Sequence, residues 1–494
     1  MSAYRELEAR FRRRALLDEA AAVLHWDMSA MMPEGGAEAR AEQLAILRRL
    51  SHESITDPAL ADLLPGAMAD SALDGWQRAN LREMRRDWLH AVAVPSGLVE
   101  ELSRATSACE TLWRVARAKA DFGLLLPSFV RLVTLVRELA AAKADRLGLE
   151  PYDSLLDAHE PGRTAAAIAP LFDDLARFLP AFIDKVIARQ AGERVHVPEG
   201  PFPAAAQRAL GERLMAKLGF DFAHGRLDQS LHPFCGGVPE DVRVTTRYDE
   251  ARFQKSLMAI FHETGHALYE QGLPKRWRRQ PVGAARGMGV HESQSLVIEM
   301  QVCRGRPFLA FAAPLLREAY GGSGPAWEPD NLYRLYTRVE RDFIRVDADE
   351  ATYPLHVILR FRLERAIVEG RLEPGDLPQA WGEGMTELLG LTPADDGQGC
   401  LQDIHWYDGA WGYFPTYTLG AMMAAQLFEA ATAAEPDVLA GVARGDFAPL
   451  LAWLRRNVHE RASLLETDEL MVEATGRPLD PGTFKRHLAA RYLG

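Results

Sequence analysis

The sequence predicts a predominantly helical protein, and three observations carry that prediction. Long stretches repeat their apolar residues at helical spacing, as Leu7, Phe11, Leu16, Ala20 and Val23 do between Tyr4 and His25. Prolines such as Pro95, Pro127, Pro151 and Pro161 fall at the edges of those stretches. Alternating β-branched runs are scarce, and the clearest is Asp241 to Tyr248, DVRVTTRY.

Taken in order, the first helix gives way at Trp26-Asp27 to a break at Met31-Met32-Pro33 and Gly35-Gly36, before a second helix through Arg40 to Leu50. Helices follow over Gly75 to Ala91, Ser96 to Lys119, Leu126 to Leu147 and Thr164 to Gln190. Thr164 has the hydroxyl expected of an N-cap. Short loops between them predict antiparallel neighbours. Val195 to Pro203 (VHVPEGPFP) is the sharpest change of composition. It separates an N-terminal helical half, residues 1–200, from a second half, 201–494, within one domain of 494 residues. A helix near Ala204 to Leu218 precedes His232-Pro233-Phe234 and the short strand. Pro314, Gly321 to Pro325 and Pro329 read as breaks before helices at Leu332 to Val346, Leu355 to Glu369 and Pro378 to Leu389. Gly399 to Gly412 is a glycine- and aromatic-rich loop, and Tyr413 to Gly420 opens the next helical region.

The charge excludes some partners. A formal net charge of −12 argues against nucleic acid or an anionic membrane surface. The basic run Lys275, Arg276, Arg278 and Arg279 reads as a solvated helix end rather than a nucleic-acid patch. Met1 to Arg14 lacks the apolar core of a signal peptide, and no apolar run approaches the roughly 18 residues of a membrane span. Cys109, Cys235, Cys303 and Cys400 form no C-x-x-C pair, as expected of reduced thiols in the cytoplasm.

The chemistry concentrates between Phe261 and Glu292. His262-Glu263-Thr264-Gly265-His266 is an H-E-x-x-H pattern in a run whose apolar residues Leu257, Ile260, Phe261 and Leu268 have helical spacing. Residues four apart share a helix face, so both imidazoles can reach one metal while Glu263 faces the water beside it. Glu292, 26 residues after His266, is the third candidate ligand. Its alternative reading is an acid placed at a helix start for dipole reasons. Two histidines and one carboxylate would leave a coordination position for water, the mark of a catalytic site, with Glu263 as general base. Glu299 and Glu270 are candidates to orient the histidines.

Several further strings accompany this motif. They are H-E-S-Q at His291, H-P-F at His232, D-x-R-x-T at Asp241, I-R-x-x-A-D at Ile344, and G-x-x-Q-D-x-H-W at Gly399. With LHWDMSAMMPEGG near the N-terminus, their order resembles the carboxypeptidase Taq family of zinc metallocarboxypeptidases over nearly the whole chain. The resemblance implies an all-α body with a very small β-sheet next to the active site and a deep, gluzincin- and neurolysin-like groove. It also implies a homodimer that releases single residues from the C-terminus of short peptides with broad specificity, while the cytoplasmic expectation rests on the N-terminus and cysteines described above. By the same resemblance His262, His266 and Glu292 hold zinc, or cobalt in its place, and Glu263 is the base. Arg345 holds the substrate carboxylate, His405 stabilises the tetrahedral intermediate, and His232 and Arg243 help shape the substrate groove.

The residues alone leave alternatives open. Arg345 lies among Arg338, Glu340, Arg341, Asp342, Asp347 and Asp349, which suit a salt-bridge network equally well. His405 beside Trp406 and Tyr407 fits a buried core histidine as well as a catalytic one. Tyr413 and Tyr417 are phenols that either donate to an oxyanion or pack. An oligopeptidase or dipeptidyl carboxypeptidase would share the zinc layout, and a catalytically silent binding protein would keep the fold. The intact Glu263 argues against the last.

Overall fold

Twenty α-helices and one three-stranded sheet carry the described residues, 2–494, of a computed structural model. The helices end where local chemistry ends them. Ser96–Lys119 stops at Ala120, which turns left-handed with φ 52°, and Leu126–Leu147 stops at Gly148 with φ 71°. The Thr164 hydroxyl accepts from the Ala167 N–H and opens Ala165–Gln190.

Other expectations need correction. The first helix runs on through Trp26 to Ala30, and its partner is Ala37–Ile55. Arg40 staples the two by donating to the Leu24 carbonyl at 2.9 Å and to Asp27 at 2.6 Å. Pro314 does not break the chain but lies inside Arg306–Tyr320. The helix expected over Leu332 to Val346 is Pro329–Tyr336 and no more. Beyond it side chains take the backbone N–H groups, Val339 bonding Gln190, Glu340 bonding Asp349 and Ile344 bonding Asp342. Such bonds compete with a helical ladder, so Arg345 sits in a short 3₁₀ turn instead.

The sheet order is β1-β3-β2, with β1 (Gly225–Gln229) parallel and β2 (Phe234–Val238) antiparallel to β3 (Asp241–Thr246). Val242 and Val244 of β3 are buried in the main core together with Leu257 and Ile260 of the motif helix, Phe253–Gly272. That core runs from Cys109 to Tyr492 and includes Phe202, so the 195–203 connector interrupts helices but not packing. A smaller core of Tyr4, Leu7, Phe11, Leu60 and Met84 belongs to the first helices. No helix among the described residues is long and apolar enough to cross a membrane.

Candidate metal centre and the cavity beside it

Three helices press together to make the centre. His262 and His266 lie one turn apart on the motif helix, their ring centroids 4.9 Å apart. Glu292 comes from a second helix, Met288–Leu296, whose start is held by the His159 carbonyl and by the Glu160 carboxylate on the Gly289 N–H. It therefore sits in the second turn rather than at the helix start, which removes the dipole explanation. The helices cross at Gly265, where a Cβ would lie 2.4 Å from the Gln294 carbonyl oxygen and 2.5 Å from Ser295 Cα. On the other side, a Cβ on Gly420 of Pro415–Ala434 would meet Glu292 Cγ at 2.6 Å.

The donor atoms fit a metal ion. Glu292 Oε2 is 3.6 Å from His262 Nε2 and 3.5 Å from His266 Nε2. Ligands about 2.0–2.1 Å from a tetrahedral ion lie roughly 3.3 Å apart. No Lys or Arg among the described residues pairs with Glu292; its other partner is the Ser295 hydroxyl. Burial pulls the His262 pKa down, but Glu292, Glu299 and Glu263 outweigh it and raise it to about 10, whereas burial holds His266 at about 4. His262 Nδ1 is anchored by Glu299 Oε2 at 3.0 Å, and Arg304 holds the other oxygen of Glu299 at 2.6 Å. A carboxylate behind a metal histidine fixes its tautomer and its angle. Glu299, a candidate from the sequence for orienting the histidines, is in that position.

A cavity of about 430 Å³ opens on the triad, lined by Glu263, Glu292, Leu296, Met300, Arg345, Tyr353, Pro354 and Tyr417 among others. A second hollow of about 440 Å³ shares His262, Glu263, Glu299 and Arg304, so the two form a groove past the centre. Glu263 makes no hydrogen bond among the described residues and faces both.

Arg345 is both ion-paired and available. Its Nε and Nη2 donate to Asp403 at 3.1 and 2.6 Å, and Nη1 donates to the Tyr353 hydroxyl at 2.7 Å. Two of its five guanidinium N–H groups keep no partner among the described residues. Asp403 is braced by Arg360 at 2.5 Å, and the Gln402 amide oxygen accepts the Arg345 backbone N–H at 2.9 Å. The G-x-x-Q-D string therefore seats Arg345. Tyr353 had no sequence signal, because only this contact distinguishes it from other aromatics.

His405 and the tyrosines form one cluster. The His405 Nε2 lies 3.2 Å from the Tyr417 hydroxyl, and the Tyr413 and Tyr417 rings are 5.3 Å apart. Burial holds His405 neutral, with a pKa of about 4. Tyr417 lines the cavity directly. The structure does not bring Arg243 or His232 to it. Arg243 pairs with Asp241 at 2.6 Å and stacks 4.3 Å over Trp26, clamping the first helix to the sheet. His232 is solvent-exposed, with Pro233 at the cavity wall in its place.

Beneath the 399–412 loop, the buried Glu364 accepts from Tyr152 at 2.5 Å and from Trp406 Nε1 at 3.0 Å. Burial lifts its pKa from 4.5 to about 7 against these donors. For an acid with a raised folded pKa, stability is full below pH 4.5 and is lost as pH climbs toward 7. The loss is about 3 kcal/mol at about 1.4 kcal/mol per pH unit. Thermal melts should show wild type losing stability against Glu364→Gln between pH 5 and 8. A constant gap would refute the shift.

Comparison with known proteins agrees with this geometry. Residues 6–492 match the family model described as Carboxypeptidase Taq (M32) metallopeptidase. Thermostable carboxypeptidase 1 of Thermus thermophilus is 37% identical over 508 aligned positions, covering 99% of this chain and 98% of that protein. The structure titled Trypanosoma cruzi metallocarboxypeptidase 1 superposes with TM-score 0.97 at 41% identity, covering 100% of this chain and 99% of that one. An M32 carboxypeptidase from Deinococcus radiodurans R1 gives TM-score 0.93 at 35% identity, with 100% and 99% covered. With the H-E-x-x-H triad and its cavity in place, the chain belongs to the carboxypeptidase Taq (M32) family of metallopeptidases.

Proposed function

We propose that the protein is a zinc-dependent carboxypeptidase that releases single residues from the C-terminus of short peptides with broad specificity, working in the cytoplasm as a homodimer. The observation that carries the reading is Arg345, which lines the same cavity as His262 and Glu292 and keeps two guanidinium N–H groups without a partner among the described residues. A guanidinium fork of that kind suits a carboxylate. His262, His266 and Glu292 would hold the ion, zinc suiting an N, N, O set and cobalt an acceptable substitute. When bound, the ion acidifies a water and polarises a carbonyl.

The remaining work falls to the chain. Arg345 fixes the terminal carboxylate, so the bond presented to Glu263 is the last one. Glu263 takes a proton from the attacking water and returns it to the leaving amine. Tyr417, hydrogen-bonded to neutral His405 and with Tyr413 beside it, is the donor this reading assigns to the developing oxyanion. Broad specificity is supported by the mixed cavity wall: Leu296, Met300, Pro354 and Ala421 are apolar, and the charge of Glu350 is already met by Arg491 and His487. The free, mostly buried cysteines support the reducing compartment.

Peptides with free and amidated C-termini test the reading. Free acids should yield single amino acids, and amidation should cut kcat/KM about 100-fold, the worth of a charge-assisted pair near 3 kcal/mol. Dipeptide products would favour the dipeptidyl carboxypeptidase alternative, and unaffected amides would remove Arg345 as anchor.

A further inference from the structure

The two metal histidines are supported differently. His262 has a carboxylate directly behind it, but His266 has another imidazole. The His266 Nδ1 lies 2.7 Å from His291 Nδ1 and 3.1 Å from the His291 carbonyl oxygen. On the far side of that ring, His291 Nε2 is 2.9 Å from Glu270 Oε1. One arrangement of protons satisfies all three contacts. With His266 Nε2 aimed at Glu292, its ring proton is on Nδ1, where it is donated to His291. His291 Nδ1 then accepts, so its own proton is on Nε2 and is donated to Glu270.

The charge around Glu270 points the same way. Glu270 lines a separate cavity of about 280 Å³ against the first helix, together with Arg14, Arg278 and Arg279. Each of those cations is committed elsewhere, Arg14 to Asp87 at 3.1 Å, Arg278 to Glu240 at 2.6 Å and Arg279 to Glu19 at 2.9 Å. Among the described residues, the one ion-pair partner of Glu270 is His291. Its side chain is 25% exposed, so the carboxylate faces solvent on one side and the relay on the other.

We infer that His291 and Glu270 are positioning residues for the metal centre, a two-member relay that fixes the tautomer and angle of His266 from the rear cavity. Neither touches the ion or the substrate. This rests on the metal-site reading above. The relay does for His266 what Glu299 does for His262, and an orienting partner of this kind is worth about 10–100-fold in metal affinity. The position calls for an acceptor toward His266 and a donor toward Glu270 on one side chain, which a neutral imidazole supplies.

Zinc affinity by chelator competition, together with the visible spectrum of the cobalt(II) protein, tests the relay. His291→Phe, which removes both contacts, should weaken zinc roughly 10–100-fold and shift the cobalt bands. His291→Gln keeps a carbonyl acceptor and an amide donor and should restore most of the affinity. Glu270→Gln, on the solvent side, should weaken zinc by up to about tenfold, and it decides the matter if His291→Phe fails to fold. Unchanged affinity and an unchanged cobalt spectrum in Glu270→Gln, or in a folded His291→Phe, would overturn the relay. Wild-type protein that binds no stoichiometric zinc would instead overturn the metal-site reading itself.

Discussion

Glu263→Gln should lower kcat/KM by about 10²–10⁴-fold while the protein keeps its fold and its metal. The size follows from what the residue is asked to do. A positioned base that accepts a proton from water and returns it to an amine contributes about that factor, and glutamine can do neither. Fold is spared because Glu263 makes no hydrogen bond among the described residues, so the exchange strands no donor. Metal is spared because the candidate ligand atoms are on His262, His266 and Glu292, not on Glu263. Burial lifts the Glu263 carboxyl to about 7 despite the opposing pull of His262, and Glu292 adds to the rise. Steady-state kinetics beside metal analysis checks the result. Activity within a few-fold of wild type would take Glu263 out of the mechanism.

The H-E-x-x-H pair could be read in the sequence because its chemistry fixes both residue type and spacing, two imidazoles on one helix face with a glutamate between them, whereas Glu292 needed the second helix to be in place. Helices such as Ser96–Lys119 were equally legible, since apolar period and terminal signal lie in one short stretch. What was hidden depends on partners far along the chain. Arg345 sits in a region with helical composition, yet its turn is set by Gln190, Asp349 and Gln402, none of which local periodicity reveals. His291 read as part of a motif string, and only the fold puts it between His266 and Glu270. Arg243 was expected at the substrate groove, but its charge and ring contacts are spent on Asp241 and Trp26, a choice made by the packing of the first helix on the sheet.

Gly265→Ala should cost the protein its metal site, although alanine is the better helix former. Intrinsic propensity favours the substitution by about 1 kcal/mol. Against that, the new Cβ would fall 2.4–2.9 Å from the carbonyl oxygen and carbon of Gln294 and from Ser295 Cα. These are backbone atoms of the helix that carries Glu292, so no rotamer change relieves them. The helix cannot retreat, because a Cβ on Gly420 would already strike Glu292 from the opposite side, which shows how closely Pro415–Ala434 backs it. Overpacking of this kind costs typically 1–3 kcal/mol, and here it acts on the one spacing that brings ligands from two helices to 3.5–3.6 Å. Zinc affinity should fall at least roughly tenfold, and kcat/KM with it by about 10²-fold, since a displacement near 1 Å is enough for such a loss. Gly211→Ala is the matched control. Its Cβ would meet Ile260 Cδ1 at 2.8 Å, the end of a flexible side chain, so it should be tolerated with metal bound. If Gly265→Ala held zinc as tightly as Gly211→Ala does, the crossing would not be what sets the ligand spacing, and the position of Glu292 would have to be fixed by Glu160 and the helix start instead.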